Sequence, residues 1–255
     1  MKKPLILISN DDSIYASGIA ALVEALEPFG ELIIVAPDSH QSGMGHAVTV
    51  GRTLTYASGA HVFPLHQSYH TSGTPVDCVK LGLDKILDRK PDLIVSGINH
   101  GSNSSINVIY SGTMAAAIEG AVSGIPSIGF SLCDFSPDAD FSLAKQVIAQ
   151  IVPKILETGL PIGVALNVNI PKIDIENYKG IKISRQATAR WSENFEQRTD
   201  PYGRNYYWMV GKFILNDQGT DTDEWALANG YTSVVPVHTD LTAYEALENL
   251  RKIDF

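Results

Sequence analysis

Cysteine is nearly missing from this chain: two in 255 residues, Cys78 and Cys133. They lack the spacing of a metal site, so two buried, reduced thiols are expected rather than a disulfide framework. Long hydrophobic runs are missing as well. No apolar stretch reaches membrane-spanning length. After Met1-Lys2-Lys3-Pro4 only a handful of apolar residues precede Ser9, too few for a signal-peptide core. A cytoplasmic protein without a membrane partner is the expectation. Basic clusters are also absent. Nineteen Lys and Arg stand against 28 Asp and Glu, a formal net charge of −9. That argues against a nucleic-acid polymer as ligand. It leaves room for a small anion recruited by a local cation. Repeats and low-complexity tracts are lacking. With 44% hydrophobic and 18% charged residues, the composition is that of an ordinary globular protein.

Several sequence signatures are missing too. No G-x-G-x-x-G follows the first strand, which disfavours a dinucleotide site, and no P-loop occurs. There is no G-x-S-x-G elbow, hence no serine hydrolase of that type. H-E-x-x-H is absent. Asp11 and Asp12 are adjacent, unlike the alternating aspartates of phosphatases that use an aspartate nucleophile.

What is present is organised around Leu5-Ile6-Leu7-Ile8-Ser9-Asn10-Asp11-Asp12. Four aliphatic residues in a row predict a buried parallel strand. Ser17 to Phe29 has helical spacing, with Ser17 as a possible cap. Leu32–Val35, Asp92–Val95, Pro126–Phe130 and Gly163–Ile170 predict further strands. Helices are expected from Pro75 to Leu87, from Met114 to Val122 and from Phe141 to Leu156. A short β-hairpin is expected over Ala47–Tyr56, turning at Gly51-Arg52. Repeated β–α units define a doubly wound, mostly parallel α/β core over residues 1–170.

Residues 171–255 depart from that rhythm but belong to the same structural unit. Ile181–Ala189 and Tyr206–Leu215 predict the two strands of an extended arm, joined by a polar loop from Trp191 to Arg204. A short helix over Asp221–Asn229, a returning strand over Tyr231–Val237 and a terminal helix over Ala243–Lys252 follow.

Chemistry gathers at the strand ends, which in open α/β sheets face the ligand. Two adjacent carboxylates repel unless a proton or cation neutralises them. Asp11 and Asp12 with the Ser42 hydroxyl and the Asn99 amide form an oxygen-only donor set, suited to Mg²⁺, Mn²⁺ or Ca²⁺ rather than zinc, with Mg²⁺ or Mn²⁺ the expected ion. Each residue has an ordinary alternative: an Asp can cap a helix, Ser42 can serve a turn, Asn99 can stabilise a loop. The convergence of three strand ends favours the metal. Ser111-Gly112-Thr113 opens a helix, whose N-terminus can bind phosphate; plain capping by Ser111 explains it equally well. A metal beside an anion-binding helix end is a phosphoryl-transfer layout. His46 and His100 are the two histidines near it, each either a proton carrier or a bystander.

Five motifs in order, Ile8-Ser9-Asn10-Asp11-Asp12, Ala36-Pro37-Asp38 with Ser42-Gly43, Ser72-Gly73-Thr74-Pro75, Ser96-Gly97-Ile98-Asn99 and Tyr110-Ser111-Gly112-Thr113, closely resemble the SurE family of stationary-phase survival proteins. The likeness is strong over residues 4 to about 170 and looser through Val235–Thr242. It implies a Rossmann-like αβα fold and a metal-dependent nucleotidase acting on nucleoside 5′- and 3′-monophosphates, with short polyphosphate as a further substrate. It places the metal on Asp11, Asp12, Ser42 and Asn99 and phosphate against Ser111, Gly112 and Thr113. Asp11, Asp12 and Asn99 are the expected catalytic residues, and Ser42, Gly43 and Asn99 are expected to join the phosphate site. It implies a homodimer or homotetramer assembled through the C-terminal arm. The rival reading is a non-catalytic nucleotide or anion sensor on the same scaffold. Two departures from the family pattern stand out. Ser13 occupies the place of a usual Gly, and Ser105 and Asn107 stand where a Gly and an Asp are usual.

Overall fold

The computed structural model describes residues 3–253. Its elements are β1 (Leu5–Ser9), α1 (Ser17–Leu26), β2 (Glu31–Pro37), β3 (Tyr56–Ser58), β4 (Gln67–Thr71), α2 (Pro75–Leu81), β5 (Leu93–His100), α3 (Gly112–Val122), β6 (Ser127–Leu132), α4 (Ser142–Thr158), β7 (Val164–Ile170), β8 (Ile181–Ile183), β9 (Ala189–Thr199), β10 (Asn205–Leu215), α5 (Asp223–Ala228), β11 (Thr232–His238) and α6 (Tyr244–Leu250). Nine strands form one sheet in the order β3-β4-β2-β1-β5-β6-β7-β11-β8. The run from β4 to β7 is parallel. β3 and β11 join antiparallel to their inner neighbours. The fold is therefore α/β with a mostly parallel sheet, as the repeated β–α units imply.

β1 is buried along its whole length, because helices cover both faces of the sheet. α1 and α4 pack on one face, and α2 and α3 on the other. Ile6, Ile8, Leu22, Leu26, Val95 and Phe130 belong to the larger core cluster, while Leu7, Val35, Val79 and Ile94 belong to the second. Alternate β1 side chains thus enter opposite cores, which is why its apolar run is unbroken. The chain moves outward from β1 to β2 and β4, then returns to β5 on the other side of β1. That makes the carboxyl end of β1 and β5 the switch point, where open α/β sheets bind ligands.

The structure redraws four local expectations. Ala47–Thr55 forms no hairpin. Its backbone is held by side chains instead: Thr74 Oγ1 donates to the Ala47 carbonyl at 2.7 Å and the Thr49 N–H donates to Asp77 at 3.0 Å. Only Tyr56–Ser58 pairs, with the unforeseen strand β4. The helix beginning at Pro75 tightens to an α-helix ending at Leu81, followed by a π-helical turn over Gly82–Ile86. Ser17 is not a cap; Ala16 holds that position, and the Ser17 hydroxyl lies 3.3 Å from His100 Nε2. The arm's first strand is Ala189–Thr199, the stretch expected as loop, and Ile181–Ile183 belongs to the main sheet beside β11. Cys78 is buried and Cys133 half-buried, both free thiols. Burial pushes each thiol up to about 12, so neither is a nucleophile near neutrality.

Candidate active site at the switch point

Asp11 follows β1 directly and is 3% exposed. Helix α3 closes on it. The Thr113 hydroxyl, fully buried, donates to Asp11 Oδ1. Gly112 lies so close that a Cβ there would come within 2.7 Å of the Asp11 Cβ and 3.0 Å of its Oδ2. Only a glycine admits this approach of helix to carboxylate. Burial, then the neighbouring charge of Asp12, pushes Asp11 up to about 6, against the opposing pull of the Thr113 hydrogen bonds. Asp12 Oδ2 is buried with no hydrogen-bond partner, and so is Asn10 Oδ1. Its other oxygen, Oδ1, lies 3.7 Å from His40 Nδ1. Buried oxygens left unpaired are costly unless something fills the gap.

Asn99 stands at the end of β5. Its Nδ2 donates to the carbonyls of His100 at 3.2 Å and Gly101 at 2.9 Å. With the amide nitrogen engaged, Oδ1 is the atom turned to other partners. Gly97 precedes it at φ +127, where a Cβ would meet the Phe130 carbonyl at 2.3 Å. Ser42 and Gly43 are exposed in a turn. That turn is tied to both neighbours: the Gln41 N–H donates to the Asp11 carbonyl at 2.8 Å and the Gly45 N–H to the Tyr110 carbonyl at 3.1 Å. Ser42 is thus one residue from a direct bond to the Asp11 backbone.

Ser111 caps α3, its hydroxyl accepting from the Met114 N–H at 3.0 Å. The strand end and the helix end therefore meet at Asp11, with Thr113 turned to the carboxylate. The two histidines have other contacts. His100 packs edge-on against Phe141 at 5.3 Å. His46 pairs with Glu119 at 3.0 Å, and Lys80 reaches the same carboxylate. Burial favours a neutral Glu119, but the His46 and Lys80 hydrogen bonds outweigh it and hold the carboxyl below its usual range. A cavity of about 700 Å³ opens beside Ser111 between α3 and β11, lined by Ile109, Ala115, Ile118 and Val237 among others; Asp11 and Asp12 do not line it.

Two residues outside the expected set belong here. Asn10 sends Nδ2 to the Ser13 carbonyl at 2.8 Å and leaves Oδ1 unpaired. His40 faces Asp12 across the Ser42 turn. Both sit inside motifs visible in the sequence, and only their side-chain directions were hidden. Ser13 and Ser105, the two departures from glycine, are the only non-glycine residues with positive φ among those described, at +89 and +53.

The oxygens that could hold a hard cation are those of Asp11, Asp12, Ser42 and Asn99. They include only two carboxylates, and among the described residues no group of three or more His, Cys, Asp or Glu side chains could hold a metal ion. The unpaired buried oxygen of Asp12 and the oriented amide of Asn99 fit such an ion.

Fold and site together define a Rossmann-like α/β protein with a paired-carboxylate centre at its switch point. Comparison with known proteins narrows this. The family described as Survival protein SurE matches residues 6–193. A 5′-nucleotidase SurE of Cytophaga hutchinsonii is 57% identical over 253 residues, covering 99% of this chain and 97% of its own. One from Christiangramia forsetii is also 57% identical, over 98% of this chain and 96% of its own. The crystal structure of the SurE protein from Aquifex aeolicus superposes with a TM-score of 0.83 at 40% identity, covering 97% of this chain and 98% of that one. The chain belongs to the SurE family.

Proposed function

We propose that this chain is a divalent-metal-dependent phosphomonoesterase that hydrolyses nucleoside 5′- and 3′-monophosphates to nucleoside and phosphate, with short polyphosphate as a further substrate. The observation that carries the reading is the adjacent pair of buried Asp11 and half-buried Asp12 at the switch point, with an unpartnered buried Asp12 oxygen, against the N-terminus of α3. The relatives named 5′-nucleotidase SurE support it.

In this reading Asp11, Asp12, Ser42 and Asn99 hold one Mg²⁺ or Mn²⁺ ion. When bound, such an ion supplies Lewis-acid polarisation of the phosphoryl group and activation of water. The chain's own residues do the rest. Thr113 fixes the Asp11 carboxylate in one orientation. Gly112 lets the helix end approach, so its dipole and backbone N–H groups favour the phosphate oxygens. Ser111 shapes that end, Asn99 presents its amide oxygen, and Ser42 and Gly43 close the site from the β2 side. The protein acts in the cytoplasm as a homodimer or homotetramer joined through the arm. No helix among the described residues is long and apolar enough to cross a membrane.

The test is phosphate release from a panel of nucleoside 5′- and 3′-monophosphates and a short polyphosphate, with Mg²⁺, with Mn²⁺ and with excess chelator. Turnover of monophosphates that stops with chelator is expected. Undiminished turnover in chelator overturns the metal dependence. Nucleotide binding without turnover makes the protein a sensor instead.

A further inference from the structure

The ligand side of the sheet is completed by Gly101–Tyr110, the segment that joins Asn99 to Ser111. Its first half is held by the sheet. The Asn103 N–H donates to Asn169 Oδ1 at 2.8 Å, Asn103 Nδ2 to Ser131 Oγ at 2.7 Å, and Asn167 Nδ2 to the Asn103 carbonyl at 2.8 Å. Its second half is held by the root of the arm, more than 80 residues further along the chain. Asp223 is fully buried and uses both carboxylate oxygens as a bridge. Oδ2 accepts from the Ser105 N–H at 2.7 Å, and Oδ1 from the Ala187 N–H at 2.9 Å. The Ser105 hydroxyl donates to the Ala187 carbonyl at 2.8 Å. Beside this bridge the Ser104 hydroxyl donates to Glu224. Trp191, on β9, sends its indole N–H to Asn107 Oδ1 at 2.8 Å.

Ser105 is the residue with φ +53, a conformation an L residue keeps only when its surroundings impose it. A charged acceptor on its N–H is the strongest constraint of that kind within reach. Four residues after Asn107 comes Ser111, the cap of α3. The turn at Ser105 therefore sets where that cap stands relative to Asp11.

We propose that Asp223 is a positioning residue for the phosphate side of the active site. It acts through Ser105, and with the Trp191–Asn107 bond it ties the root of the arm to the segment that carries Ser111. The inference rests on the phosphatase reading for its kinetic readout, but its structural readout is independent of activity.

The experiment compares Asp223→Asn and Trp191→Phe with wild type. Amide hydrogen exchange is followed over residues 101–110 and over β1. Kinetics with a nucleoside monophosphate and Mn²⁺ titration are measured on the same samples. In Asp223→Asn one acceptor oxygen becomes an NH₂ group facing an N–H donor. Protection over 104–110 is expected to fall while β1 is unchanged. KM should rise by about tenfold or more, as small misplacements at a reacting centre do, with Mn²⁺ affinity within twofold of wild type because Asp11 and Asp12 hang from β1. Trp191→Phe removes the N–H donor to Asn107 and leaves a smaller aromatic ring facing Phe213. It should shift the same amides, with a KM increase of about threefold, roughly one lost neutral hydrogen bond. If Asp223→Asn does not fold, Trp191→Phe decides alone. Unchanged exchange over 104–110 overturns the proposal. So does a Mn²⁺ affinity that falls in step with KM, because the bridge would then support the whole fold rather than the phosphate side. If wild type releases no phosphate from any nucleotide, the phosphatase reading fails and hydrogen exchange still decides the bridge.

Discussion

The strand ends around β1 and the arm of β9 and β10 are both β-structure, and they are stabilised in opposite ways. At β1 every residue is buried, neighbours pair on both sides and helices cover both faces. Polar side chains there are few, and Ser9 Oγ, Asn10 Oδ1, Asp12 Oδ2 and Ser96 Oγ are buried without a hydrogen-bond partner. The arm is a two-stranded ribbon of eleven paired positions with nearly every side chain exposed. Phe195, Tyr207, Trp208 and Met209 are each more than half exposed. At its base Trp191 of β9 sends its indole N–H to Asn107 of the body and packs against Phe213 of β10. A two-stranded ribbon is marginal in water by itself, and an apolar surface of that kind marks an interaction site. The chain therefore closes one region on itself and leaves the other exposed.

The sharpest way to break the first half of that comparison is to remove a charge from the carboxylate pair. Asp12→Asn should lower kcat/KM by at least about a hundredfold, the scale for losing one preorganised electrostatic partner, while circular dichroism shows an intact fold. In the metal-free protein the same change should raise stability by roughly 1 kcal/mol, because it removes the repulsion that helps to push Asp11 upward. Thermal melts in chelator check the sign. A metal-free variant less stable than wild type would mean that the two carboxylates do not oppose each other.

A change at the arm tests the second half. Ala189 and Leu215 are register partners, so residues 190–214 can be replaced by a short Gly/Ser turn without moving the base. Exchange of an identical element between protomers is a low-cost route to oligomers. The shortened chain should be a monomer by light scattering, and its melting temperature should no longer depend on protein concentration, as it does for a linked oligomer. A full-length protein that is monomeric at micromolar concentration, or a shortened one that keeps the parent's assembly, places the arm on its own domain.

The same contrast explains what could be read from the sequence. β1, β2 and β5 were legible because burial on both faces leaves the apolar runs Leu5–Ile8, Leu32–Val35 and Leu93–Val95, while β6 and β7 keep most of theirs around Ser127, Gly129, Ser131, Asn167 and Asn169. Asp11, Asp12 and Asn99 were legible as polar groups where those runs stop, and Ser111–Thr113 as the opening of a helix. β9 was read as a loop because Ala189–Thr199 has no buried face within one chain, so burial imposes no alternation on it. β4, Gln67-Ser68-Tyr69-His70-Thr71, was missed because an almost wholly polar strand gives no hydrophobic signal. The Asp223–Ser105 bridge spans 118 positions, and nothing local announces it. Side-chain direction was likewise hidden: no pattern in the sequence shows that the Thr113 hydroxyl donates to Asp11.

The smallest expected effect lies where the two regions solve the same local problem differently. The arm reverses at Asp200–Arg204. Gly203 supplies a φ of +79, and Asp200 Oδ1 accepts the Tyr202 and Arg204 N–H groups at 2.8 and 2.9 Å. The site reverses at Ser13, which reaches φ +89 without glycine's freedom, its carbonyl held by Asn10 at 2.8 Å. A left-handed L residue costs roughly 1–2 kcal/mol. Glycine would relieve that strain but would loosen the unfolded chain by roughly 0.5–1 kcal/mol. The Ser13 hydroxyl contributes little, since the one hydrogen bond it accepts, from the Tyr15 N–H, is 3.4 Å long. The bond to Asn10 uses the backbone and survives substitution. Ser13→Gly should therefore stabilise the protein by roughly 0.5–1 kcal/mol, read as a higher urea midpoint at unchanged slope. Phosphate release should stay within about twofold, because Asn10 keeps its grip on the turn. A lower midpoint would show that the buried hydroxyl holds the turn after Asp12, and that the site depends on serine there.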